Sequence, residues 1–85
     1  MRVYAVDAKD GEPDTCYATK GEALREGRRA AREYAPAGEV VEVEEWVLVP
    51  LTKAVIVSLI NAQGRFLADS RVIARFPSKR KDTSG

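Results

Sequence analysis

Thr19-Lys20-Gly21-Glu22-Ala23-Leu24-Arg25-Glu26-Gly27-Arg28-Arg29-Ala30-Ala31-Arg32-Glu33-Tyr34 is the stretch on which the fold turns. Thr19 and Glu22 have the spacing of a capping box. The Thr19 hydroxyl accepts from the Glu22 amide, and the Glu22 carboxylate reaches back to the Thr19 amide. The spacing predicts a helix from Lys20 to Tyr34. At about 100° per residue, Ala23, Leu24, Gly27, Ala30, Ala31 and Tyr34 fall within a ~120° arc. Small residues dominate that arc, so the helix can lie close on a sheet. Pro36 and Gly38 end it.

Upstream, Arg2 to Ala8 reads as a strand with apolar groups on both faces. The cluster Lys9-Asp10-Gly11-Glu12-Pro13-Asp14 reads as a turn. Thr15 to Ala18 then completes an N-terminal hairpin. Downstream, Glu39 to Val49 is Val-rich with few helix formers, and so is a long strand. Val41, Val43, Val47 and Val49 share its core face, while Val40, Glu42, Glu44, Trp46 and Leu48 share the other. Pro50 stops it. Arg71 to Phe76 reads as the last strand, with Val72, Ala74 and Phe76 on one face and Ile73 on the other.

Between those strands, Ala54-Val55-Ile56-Val57-Ser58-Leu59-Ile60 is an apolar run that periodicity alone cannot assign. Pro50 and Thr52 suit a helix start, and Gly64 suits a helix stop. The β-branched trio Val55-Ile56-Val57 argues for a strand. We read a helix from Thr52 to Gln63 with an apolar arc of about 200°, wider than one sheet contact needs. Such a helix is either deeply buried or carries a second contact surface. The expected fold is a single α+β domain over residues 1–77, in the order ββαβαβ. Its sheet is antiparallel-rich, and both helices pack on one face. Residues 78–85 form a polar basic tail, expected to be disordered.

The chain has 85 residues, and a mass of 9.4 kDa allows one core and leaves little room for a deep catalytic cleft. Hydrophobic residues at 45% and charged residues at 32% place it among globular domains rather than disordered chains. Fourteen Lys and Arg against 13 Asp and Glu, net +1, exclude a strongly basic nucleic-acid wrapper and a strongly acidic DNA mimic. There is no histidine, which removes Ser-His-Asp and Cys-His nucleophilic sites. Cys16 is the single cysteine, so neither an internal disulfide nor a Cys-rich zinc site can form. It is read as a buried structural residue. No P-loop or G-x-G-x-x-G motif is present. Asp7, Asp10, Glu12 and Asp14 lack EF-hand spacing. No catalytic, cofactor-binding or metal-ligating set is assigned. The N-terminus meets Asp7 too early for a signal-peptide core, and no apolar run reaches the roughly 20 residues of a membrane span. The expected compartment is the reducing cytoplasm.

The candidate binding residues lie in two groups. Arg25, Arg28, Arg29 and Arg32 recur at i, i+3, i+4 and i+7, opposite the helix's apolar arc. Such a stripe can hold carboxylates or phosphates in bidentate pairs. It suits an acidic protein partner or, with the Lys79-Arg80-Lys81 tail, a nucleic acid. The alternative is a solvated face, because Glu22–Arg25, Glu26–Arg29 and Arg29–Glu33 are helical ion-pair spacings. Trp46 and Leu48, on the outward face of their strand, can anchor an interface. Alternatively Trp46 packs under the tail or against Ile73. Apolar residues on both sheet faces suit association with a second copy. Glu39, Glu42, Glu44 and Glu45 are read as charges that blunt an exposed sheet edge.

The stretches Arg2 to Ala8, Thr19 to Tyr34 and Leu51 to Phe76 together resemble small, uncharacterised α+β proteins of bacteriophages and prophages. Anti-CRISPR proteins are among these, and are similar in size and simple build. The resemblance implies a stoichiometric inhibitor in the bacterial host cytoplasm, acting by steric occlusion of a host protein or protein complex. It transfers no functional residue.

Overall fold

The computed structural model describes residues 1–61 and 67–81. The element order is β1 (Arg2–Asp7), β2 (Thr15–Tyr17), α1 (Lys20–Glu33), β3 (Val40–Leu48), α2 (Lys53–Ile60) and β4 (Leu67–Pro77). This is the expected ββαβαβ order. The four strands form one sheet in the order β2-β1-β3-β4, and every neighbouring pair is antiparallel. β3 is therefore a central strand. Its glutamates do not blunt an edge.

α1 begins as its sequence dictates, with the Thr19 hydroxyl accepting from the Glu22 amide at 3.2 Å. Ala23, Gly27, Ala30 and Ala31 are buried, and they face Val6, Val41 and Val43. The fit is close. A Cβ at Gly27 would sit 2.7 Å from Val43 Cγ2 and 3.1 Å from the Phe76 ring. Glycine is used here for proximity, and it lets the helix axis approach the sheet. Tyr34 departs from the expected apolar arc. It caps the helix in the open, where its hydroxyl accepts from Arg29 Nη2 at 3.0 Å.

The pairing register fixes the two sheet faces, because opposed residues share a face. Tyr4 opposes Glu45 and Val6 opposes Val43, so Tyr4 and Val6 lie on the α1 side, away from Trp46. β4 breaks the simple alternation. Val43 pairs with Ala74 but the next residue, Glu44, pairs with Val72, which leaves Ile73 as the extra residue of a bulge. Val72 thus turns to the open face, whereas Ile73 packs against the core, the reverse of the expectation. A second shift at Val47/Leu48 skips Ala68. Two bulges in an 11-residue edge strand also make it a poor template for pairing with another chain.

α2 is a helix, capped by the Thr52 hydroxyl accepting from the Val55 amide at 3.2 Å. The expected stop at Gly64 lies outside the described residues. The expectation that both helices cover one sheet face fails here. Only α1 covers the sheet, and α2 packs against no strand and not against α1. The physical reason is connectivity. α2 sits in the β3–β4 connection, beyond the end of the hairpin. The molecule is accordingly long, 54 × 25 × 16 Å.

The first residues of the expected tail are docked. The Ser78 amide donates to Glu39 O at 2.9 Å, the Ser78 hydroxyl to Ala35 O at 2.7 Å and the Lys79 amide to Ala31 O at 2.7 Å. The bonds to Ala31 and Ala35 take up carbonyls at the C-terminal end of α1, and the bond to Glu39 extends the pairing of β4 with the chain entering β3. Residues 82–85 lie outside the described residues.

Candidate functional site

The docking of Ser78 and Lys79 onto α1 builds the most distinct surface of the domain. Arg28 and Arg32, one helical turn apart, come together with Phe76 and Lys79 around a shallow depression of about 300 Å³, with Ala31 between them. The Arg28 guanidinium stands 5.2 Å from the Phe76 ring centroid. An aromatic face beneath a guanidinium holds it in place without neutralising it. Among the described residues, no carboxylate lies within ion-pair distance of Arg28, Arg32 or Lys79. Three cations over an apolar floor can receive a carboxylate or a phosphate in charge-assisted bonds.

The other two members of the arginine stripe are placed differently. Arg29 is engaged within the helix, at 3.0 Å from Glu33, 3.6 Å from Glu26 and 5.6 Å from the Tyr34 ring centroid. Arg25 is exposed and does not line the depression. The stripe is therefore part solvated face and part candidate site, divided between Arg29 and Arg28. Phe76 was not among the candidates, and Lys79 was one only as part of the basic tail. No local signal marks Phe76, since only the β4 register brings it under α1.

Trp46 and Leu48 lie on the opposite, open face of the sheet. Trp46 is half-buried between Val3 and Ser70 on the flanking strands, and Leu48 opposes Leu67. The docked tail residues Ser78 and Lys79 lie at the other end of the sheet from Trp46, and the β4 residue opposite Trp46 is Ser70 rather than Ile73. The distal end of the open face is thus apolar.

Its proximal end is an ion-pair lattice. Lys9 Nζ reaches Asp7 at 2.9 Å and Glu42 at 3.0 Å, and Arg75 reaches Glu42 at 3.4 Å. Lys9 itself holds a left-handed φ of 58°. The hydrogen bonds that Lys9 donates to the Asp7 and Glu42 carboxylates push its ammonium pKa upward. Burial pushes Asp7 up, but the Lys9 side-chain and backbone hydrogen bonds outweigh it and hold the carboxyl below its usual range. The Lys9 hydrogen bond does the same for Glu42. On the α1 side, Glu45 is clamped between Arg71 at 3.2 Å and Arg2 at 3.7 Å. Its position follows from strict alternation with Val43 and Val47.

A second depression, of about 290 Å³, lies between the β1–β2 turn and α1. Tyr17, Tyr34, Glu12 and Glu26 are on its walls. Burial, with Glu26 and Glu22 nearby, raises the Tyr17 phenol, which keeps it protonated at neutral pH. Cys16 is exposed on β2 rather than buried, because β2 is an edge strand. Partial desolvation of its thiol by neighbouring groups and the Asp14 charge raise its pKa, so it is a weak nucleophile. No group of His, Cys, Asp and Glu able to hold a metal occurs among the described residues. No helix among them is long and apolar enough to cross a membrane. Compared with known proteins, the chain matches no family model, and no curated protein or solved structure matches it.

Proposed function

We propose that this chain is a non-enzymatic protein-binding module whose partner presents carboxylates to the Arg28–Arg32–Lys79 depression. The observation that carries the reading is three cations, around the Phe76 and Ala31 floor, with no carboxylate partner among the described residues. A side chain or terminus with one carboxylate and an apolar body would fill it. In its finer form the proposal is a phage- or prophage-type stoichiometric inhibitor in the host cytoplasm. It would occlude the surface of a host complex and carry out no chemistry.

One observation favours a second reading, a small nucleic-acid-binding or regulatory protein. Lys79, Arg80 and Lys81 continue the basic surface begun by Arg28 and Arg32, and phosphates suit the same donors. The acidic open face and net +1 weigh against a long nucleic-acid track.

Affinity capture from bacterial lysate, with and without nuclease, separates the two. The first reading expects a discrete protein that survives nuclease and is lost when the bait carries Arg28→Glu and Arg32→Glu. The second expects capture that vanishes with nuclease, and an affinity whose logarithm falls with log salt at about −0.9 per phosphate neutralised on duplex DNA. Binding unchanged in the double variant would reduce the stripe to a solvated face and overturn both.

A further inference from the structure

We infer that α2 is a self-association arm and that a second copy of this chain covers it. Ile56, Val57 and Ile60 form one stripe at i, i+1 and i+4, with 46%, 47% and 78% of their surface exposed, and Leu51 before them is 51% exposed. Lys53 is the only charge between residues 53 and 60. A helix apolar over so much of its circumference is ordinarily enclosed on several sides. An eight-residue helix that packs against no other described helix or strand is also below the ~12–15 residues at which isolated helices become even marginally stable. Its persistence therefore needs an occupant.

The area fits a second copy. The chain exposes 6011 Å², about 1,000 Å² more than the ~5,000 Å² of a folded monomer of its mass. Its radius of gyration of 15.3 Å compares with ~12 Å for a compact domain of this length. A standard interface removes about 800 Å² from each partner, so one two-fold contact absorbs the excess. The chain also supplies its own complement. The distal open face carries Val3, Leu48 and Val72, each part-exposed, and lies at the same end as α2. In a two-fold arrangement each arm covers the other copy's apolar end, and both surfaces close at once. A single lysine gives α2 little attraction for an anionic membrane surface, which basic amphipathic helices use. This inference is independent of the basic depression, which lies at the other end of the sheet.

Sedimentation equilibrium of the full chain, run from 1 to 500 µM (about 10⁻⁶ to 5 × 10⁻⁴ M, where interfaces of this class are populated), is the test. Wild type is expected to reach twice the 9.4 kDa chain mass. Ile60→Glu is expected to weaken self-association at least about tenfold, because a charge is then buried without a partner. Its far-ultraviolet circular dichroism should otherwise match that of dilute wild type. A monomer throughout the range, or a dimer untouched by Ile60→Glu, overturns the inference. Should that variant not fold, isotope-filtered NOE spectra of a mixture of labelled and unlabelled wild type decide. Contacts from the Ile56, Val57 and Ile60 methyls to the other copy are expected, and their absence at 500 µM (roughly the upper limit above) overturns it.

Discussion

α1 and α2 are two helices of opposite character, and each sits where its own composition would not place it. α1 is the more polar, yet it is the one pressed into the core, through a stripe of alanine and glycine against Val41 and Val43. α2 is the more apolar, yet none of its residues is buried. Burial follows shape and connectivity as much as hydrophobicity. The small stripe of α1 admits the sheet to within van der Waals contact, and chain order places α1 beside β1 and β3. α2 is tethered between strand ends, beyond the sheet that could cover it. A helix can therefore be stabilised by its own domain or offered to another, and these two make the contrast within 85 residues.

The largest expected effect falls on the α1 side. Gly27→Val inserts a branched side chain where even a Cβ would be 2.7 Å from Val43. Overpacking of this kind costs about 1–3 kcal/mol per insertion, and a branched chain against a 2.7 Å contact lies at the top of that range. Urea unfolding is expected to show a fall in midpoint with little change in slope, and a wild-type midpoint would break the close-packing half of the contrast.

The two N-caps sharpen it. Thr19→Ala removes the bond to the Glu22 amide and is expected to cost about 1 kcal/mol, a drop in Tm of about 4–8 °C for a domain of this size. Thr52→Ala removes the equivalent bond on α2. It is expected to leave the Tm of dilute protein unchanged, since α2 contributes no packing to the monomer, while weakening self-association. Equal Tm losses at the two caps would mean that α2 is part of the core after all.

These outcomes also bear on how much of the molecule its sequence discloses. The cap residues, the breaks at Pro36 and Pro50, and the alternation of Val41 with Val43 are local signals, and each marks its element correctly. The parity of β4 is not local. Ile73 is an ordinary strand residue until pairing with β3 makes it the extra residue of a bulge. The stripe was legible as a stripe, but its division was not. Arg28 meets Phe76 only because the β4 register brings that ring under α1, and Lys79 joins Arg32 because Ser78 and Lys79 hydrogen-bond to carbonyls near the α1 terminus. The wide apolar arc of α2 allowed either deep burial or a second contact surface, and the burial is not found. What it could not announce was that α2 would meet neither a strand nor α1.

A smaller effect is expected at acid pH. Asp7 and Glu42 have pKa values held below their ordinary 3.8 and 4.5. Carboxyls depressed in the folded state stabilise it above their unfolded pKa values, and that stability is lost as pH falls through the folded ones. Thermal melts are expected to show a contribution intact above about pH 5 and declining below about pH 4. Lys9→Gln should remove part of this pH dependence without moving the α1 caps. An unchanged acid limb in that variant would disconnect the proximal lattice from stability.

Hydrogen exchange read residue by residue tests the contrast between the two helices most directly. The α1 amides are expected to be protected equally at all protein concentrations, because their own sheet covers them. The amides of Ile56 to Ile60 are expected to be protected at high concentration and to exchange freely on dilution. Protection of α2 that does not change with concentration, or no protection of α2 at any concentration, would contradict the assignment of α2 to a second copy.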